Sequence, residues 1–139
     1  MRVVVDNNIV VDALIPNAQF EADAQEILRL AAMKEIDGIV SVNNLTDIFY
    51  VLRKIHGFEK AKVMILKLFL VFDIVGVEPD DCMKALNLTM PDFEDALIAV
   101  CAVKTNADYI VSRDEKFIKA QTEVKVITPK QLLAEIGDQ

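Results

Sequence analysis

Residues 2–8 read Arg2-Val3-Val4-Val5-Asp6-Asn7-Asn8. Three consecutive β-branched residues with no polar alternation predict a strand buried on both faces, the situation of a parallel sheet. Asp6 ends the run and puts a carboxylate at the strand's carboxyl end. Residues 8–14 then form a short apolar segment closed by Pro16, and Phe20, Ala24, Ile27, Leu28 and Ala31 recur at helical spacing until Gly38. Two helices are therefore expected between the first strand and the second.

The alternation continues along the chain. Ile39-Val40-Ser41 predicts a second short strand, and Asn43 or Asn44 can cap a helix carrying Leu45, Ile48, Phe49 and Leu52 on one face, ended by Gly57. Phe58 to Val71 predicts a helix apolar on nearly all sides, which calls for cover from several neighbours or from a second subunit. A third strand is expected around Phe72 to Val77. Pro79 and Pro91 each open a helix, the latter running through Ala96, Leu97, Val100 and Cys101. Tyr109 to Ser112 and Val124 to Ile127 predict the last two strands, and Thr128-Pro129 caps a final helix. Strands alternating with helices imply an α/β fold, a three-layer α/β/α sandwich around a mostly parallel sheet of about five strands. The 139 residues suit one domain, 1–139.

Composition narrows the function classes. Hydrophobic residues make up 53% and charged residues 27%, a folding composition. The longest apolar run, Val63 to Phe72, contains Lys67 and is about half the length a membrane span requires. Met1 and Arg2 lead directly into the first strand without a signal-peptide pattern, so a cytoplasmic protein with no membrane attachment is expected. The net charge of −7 argues against a broad basic stripe for nucleic acid, although a carboxylate site contributes negative charge itself. Cys82 and Cys101 sit in apolar helical patterns as buried thiols, and the lone His56 stands at a helix end. Four scattered glycines build no phosphate loop, and zinc lacks ligands.

The acidic residues carry the information that remains. Functional crevices of open α/β sheets lie beyond the carboxyl ends of the strands. Asp6 ends strand one, Asp114 follows strand four, Asp95 lies in the first turns of the helix leading to strand four, and Asp47 lies one turn into the helix after strand two. Asp92, three residues before Asp95, shares its helix face. Gathered at one edge, such carboxylates repel each other until a hard cation such as Mg²⁺ or Mn²⁺ joins them. Each has a structural alternative. Asp6 can cap a helix, Asp92 and Asp95 can complement a helix dipole, and Asp114 can hold a turn. Asp47 resists that explanation most, standing past the cap inside an apolar-patterned helix.

In order and spacing, Val3-Val4-Val5-Asp6-Asn7-Asn8, the stretch Ser41 to Arg53, Asp92-Phe93-Glu94-Asp95-Ala96-Leu97 and Ile110-Val111-Ser112-Arg113-Asp114 resemble the PIN-domain family, and within it the toxin nucleases of VapC type. The resemblance covers Val3 to about Thr128. It implies a metal-dependent endoribonuclease, the toxin of a toxin–antitoxin pair, using Mg²⁺ or Mn²⁺ to hydrolyse RNA. By position, Asp6, Asp95 and Asp114 fall on the family's metal-site carboxylates, and Asp47 falls where a glutamate is usual. Asn8 and Ser112 match its polar helpers, and with Arg113, and Arg53 beside it, they are candidates for positioning substrate. Two departures stand out: Asn7 replaces the usual threonine or serine, and Asp47 is one methylene short. They leave open a PIN-fold binding module that is catalytically weak or inactive and acts in an assembly. A receiver-like phosphoacceptor would need an aspartate ending strand three, and Val75-Gly76-Val77 supplies none. Expected partners are RNA, a second copy of the chain meeting through Phe49-Tyr50-Val51 and Val63 to Phe72, and a small antitoxin.

Overall fold

The computed structural model describes residues 1–16 and 19–138. Its elements in chain order are β1 (Arg2–Val5), α1 (Asn7–Leu14), α2 (Glu21–Ala32), β2 (Asp37–Ser41), α3 (Val42–His56), α4 (Phe58–Val71), β3 (Asp73–Val75), α5 (Pro79–Leu86), α6 (Phe93–Lys104), β4 (Tyr109–Val111), α7 (Glu115–Lys119), β5 (Val126–Ile127) and α8 (Pro129–Gly137). The five strands form one sheet in the order β3-β2-β1-β4-β5, and every pairing is parallel. The α/β reading and the strand count hold.

Pleating divides the sheet between two helical layers. Val3 and Val5 join a core with Ile9 and Val10 of α1, Ile27 of α2, Ile48 and Leu52 of α3, and Leu132 of α8. Val4 points the other way, toward Ile98 and Cys101 of α6 and Phe117 of α7. The uniform valine run is thus explained, because both faces of β1 are dry. The chain builds β2 and β3 on one side of β1 and then crosses to β4 on the other, which makes the carboxyl end of β1 the topological switch point.

Several boundaries differ from the sequence reading. Neither Asn43 nor Asn44 caps α3; the helix starts at Val42 with Ser41 as N-cap and no side-chain cap bond. Asn43 Oδ1 instead accepts from Ser41 Oγ, and the amide of Asn44 is buried. Pro91 does not open α6, whose N-cap is Asp92. Strand β3 is shorter than Phe72 to Val77, and β5 keeps only Val126 and Ile127. Helix α7 was not anticipated, five residues being too few to show a period. Along α4 only Ala61 and Leu68 are buried, while Val63, Leu66, Phe69 and Leu70 are exposed. Its apolar surface is therefore not explained by burial within this chain. Cys101 is buried and Cys82 half-buried. Thr128 and Pro129 open α8 as expected, with a reciprocal bond between Thr128 and Gln131.

Candidate active site

The site grows from the β1–β4 pair. Val5 lies opposite Val111, so the residues after them, Asp6 and Ser112, emerge together, and Asp6 N–H continues the ladder to the Val111 carbonyl at 3.0 Å. Asp6 is 4% exposed and is the N-cap of α1, accepting from Asn7 N–H at 2.8 Å. Its other oxygen accepts from Ser112 Oγ at 2.7 Å and Asn8 Nδ2 at 3.3 Å. Ser112 Oγ also accepts from the Asp114 N–H at 3.1 Å, so one buried hydroxyl ties two aspartates together.

The remaining aspartates arrive on helix starts. Asp92 caps α6 by accepting from Asp95 N–H at 3.0 Å, and Asp114 caps α7 by accepting from Lys116 N–H at 3.0 Å. The capping role weighed against a site role is real for Asp6, Asp92 and Asp114. For Asp6 and Asp114 the two roles coincide because α1 and α7 follow the carboxyl ends of β1 and β4 and point their positive termini at the crevice.

Burial and like charge raise several of these groups together. Burial pushes Asp95 from the usual carboxylate range to about 7, with Asp92, Asp6 and Asp114 adding like-charge repulsion. Asp6 is also raised, first by burial, then opposed by its bonds from Ser112 and Asn7, with Asp114 and Asp92 raising it further. A residue not singled out from the sequence is also strongly raised. Glu94 is carried to about 8 by burial, by a hydrogen bond with Asp47 and by the charges of Asp47, Asp6 and Asp92. Its Oε1 accepts from Asn7 Nδ2 at 3.1 Å. Helical rotation separates Glu94 from the Asp92–Asp95 face, so spacing hid it; only its flanking aspartates signalled an acidic helix start. Asp47 therefore does reach the cluster, through Glu94, and Asn7 makes a contact that a shorter threonine or serine would make differently.

Arg113 behaves otherwise. Its guanidinium is paired with Asp12 at 2.6 Å and 3.2 Å and lies over the Phe20 ring at 4.6 Å, while Asp12 is only 3% exposed. It braces α1 against the β4 end instead of standing free for a substrate. Arg53 lies 5.8 Å from the Phe58 ring centre, on the α3–α4 hairpin. His56 Nε2 is 3.3 Å from the Leu14 carbonyl, a structural position. Asn8 and Ser112 orient Asp6, which is a different task from holding substrate.

The donor set is all oxygen, mutually repelling and half-buried, which suits Mg²⁺ or Mn²⁺ and neither zinc nor copper. Among the described residues no group of three or more acidic, histidine or cysteine side chains is placed so that it could hold a metal ion as it stands. Binding an ion would need side-chain rotation and water ligands, which Mg²⁺ normally keeps.

A parallel α/β sheet with an aspartate cluster at its switch point defines a class of acidic-site proteins. The chain belongs to the PIN-domain family, whose model matches residues 2–116. Ribonuclease VapC1 of Aquifex aeolicus is 27% identical over 128 residues, covering 88% of both chains. Among solved structures, Mycobacterium tuberculosis VapC20, described as a toxin cleaving the sarcin-ricin loop, superposes with a TM-score of 0.68 at 20% identity, over 86% of this chain and 95% of its own. VapBC2 of Rickettsia felis, bound to a DNA fragment from its promoter, gives 0.65 at 21% identity, over 92% and 98%. These likenesses establish the fold.

Proposed function

We propose that this chain, acting as one domain, is a divalent-metal-dependent endoribonuclease and the toxin of a toxin–antitoxin pair. The observation that carries the proposal is the gathering of carboxylates from separate elements, Asp6, Asp95 and Asp114 with Asp47 and Glu94 beside them, in which burial and like charge hold Asp6, Glu94 and Asp95 above the ordinary carboxylate range. Such an arrangement is costly in a folded protein unless a cation offsets it. The names of the VapC relatives support RNA as substrate and an antitoxin as partner.

Asp6, Asp95 and Asp114 would hold Mg²⁺ or Mn²⁺, with Asp47 and Glu94 entering directly or through water. The bound ion would supply an activated water and neutralise charge on the phosphodiester. The chain's own contribution is orientation. Ser112 and Asn8 fix the Asp6 carboxylate, Asp92 fixes the turn that presents Asp95, and the starts of α1, α6 and α7 direct partial positive charge at the site.

The exposed apolar side chains Tyr50, Val63, Leu66, Phe69 and Leu70 support a homodimer or antitoxin contact through α3 and α4. No described helix is long and apolar enough to cross a membrane. Asp47, one methylene short of glutamate, favours the alternative of a weakly active or inactive binding module. One experiment separates the two: purified protein with total RNA in Mn²⁺, Mg²⁺ or chelator. Discrete metal-dependent cuts, abolished by chelation, are expected; intact RNA under all conditions would favour the binding module.

A further inference from the structure

We propose that RNA leaves the acidic edge through the groove between the loop entering α6 and helix α7, with Lys116 and Lys119 gripping its phosphates; this rests on the ribonuclease reading above. The groove has a volume of about 460 Å³, and its walls include Asp92, Asp95 and Asp114 from the site together with both lysines. A phosphodiester seated at the carboxylates therefore has its neighbouring phosphate beside α7.

Three features make these lysines more than solvated surface charges. Spaced i,i+3, they share a face of α7. Among the described residues neither is in an ion pair, whereas Lys84 pairs with Asp80 and Lys104 with Asp81. Their backbone is also fixed at two points. Asp114, a candidate metal ligand, caps the helix at Lys116, and Phe117, 1% exposed, plugs it into the core. The lysines thus keep a set relation to the candidate scissile position, which phosphate contacts need if they are to set the register of a strand. In a chain of net charge −7, unpaired cations bordering the site are where a polyanion can approach.

The groove does not end at the lysines. Met90 and Gln121 also line an adjoining groove of about 530 Å³, in which Leu88, Val100 and Val103 stand among the carboxylates of Glu78, Asp80, Asp81 and Glu123. Those carboxylates repel a polyanion, so the grip on the strand is confined to Lys116 and Lys119.

The test uses a single-stranded oligonucleotide spanning a cut site found in total RNA. Lys116→Ala, Lys119→Ala and the double variant are compared with Lys125→Ala, which removes the same charge at the amino end of β5. In Mn²⁺ the double variant should raise KM roughly tenfold with kcat within twofold. Each lysine should also remove about 0.7 from the slope of log(1/KM) against log salt, the share of one phosphate contact on a single strand. Anisotropy binding of the labelled oligonucleotide to an Asp95→Asn background should weaken in parallel, and Lys125→Ala should change neither. All three lysines are exposed, so melting temperatures should match wild type. Wild-type cleavage with unchanged KM and slope in the double variant would overturn the groove alone, as would an equal loss from Lys125→Ala or a loss confined to kcat. Absence of any wild-type cleavage or binding would overturn the ribonuclease reading and the groove with it.

Discussion

Ser112 Oγ donates to Asp6 Oδ2 at 2.7 Å, across 106 residues of sequence, and both side chains are buried. The bond joins the ends of two adjacent parallel strands and is the largest influence holding the Asp6 pKa down against burial. Ser112→Ala should therefore raise that pKa further. The acid limb of the kcat/KM profile should move to higher pH, and activity at pH 7 should fall roughly tenfold or more, the worth of a charged hydrogen bond. An unmoved pH profile would assign Ser112 to folding alone.

Metal-free stability should fall as pH rises. Asp95 sits at about 7 against an ordinary 3.8, and Glu94 at about 8 against 4.5. Between these limits the folded chain holds protons that the unfolded chain has released, so stability declines with rising pH and is fully present only below the ordinary values. A cation that binds the folded state reverses the loss. Thermal melts from pH 5 to 8.5, in chelator and in millimolar Mn²⁺, should show the metal-induced gain growing with pH. A gain that shrinks with pH would argue against a carboxylate site.

Asp95→Asn should separate function from stability. The substitution keeps the size of the side chain and the backbone N–H that Asp92 accepts, while removing one of the repelling charges. Cleavage should drop about a hundredfold or more, and the metal-free protein should melt no lower than wild type at pH 8. The Mn²⁺-induced shift should shrink sharply. A variant that melts lower in chelator, keeps the full shift and still cuts RNA would remove Asp95 from the site.

Gly38 tests the opposite end of the sheet. A Cβ there would stand 2.7 Å from Phe72 Cδ1 and 3.2 Å from the Ala31 Cβ, so α2 and the C-cap of α4 rest directly on the β2 backbone. Gly38→Ala should cost about 1–3 kcal/mol in urea denaturation, the usual penalty of overpacking, with cleavage unchanged below the transition. Unaltered stability would mean that Phe72 moves aside freely.

Asn44 is fully buried, and neither its Oδ1 nor its Nδ2 has a partner among the described residues. Replacing it with an apolar residue of similar shape should help. Asn44→Leu should raise stability by about 1–3 kcal/mol, measured by the same denaturation. A loss would show that the amide is satisfied by bound solvent.

The sequence by itself determined the layer architecture and most of the acidic cluster. Val3-Val4-Val5 could only be a strand dry on both faces, and carboxylates placed after strand ends are carried to one edge by parallel winding, whatever the loops do. Those are properties of period and order, which a sequence displays directly. Other features were decided only in three dimensions. Glu94 is drawn into the site by Asn7 and Asp47, contacts between elements far apart in the chain, and its turn on α6 hides it from any spacing argument. Arg113, next to Asp114, looked free for substrate, yet the nearest partner in space is the buried Asp12. Asn43 and Asn44 carry the chemistry of caps, but strand β2 ends one residue before α3 begins, leaving Ser41 at the cap position. Local propensity ranks what a residue can do. Which partner it meets depends on how the strands bring distant segments together, and that choice rests on burial and charge summed over the whole fold.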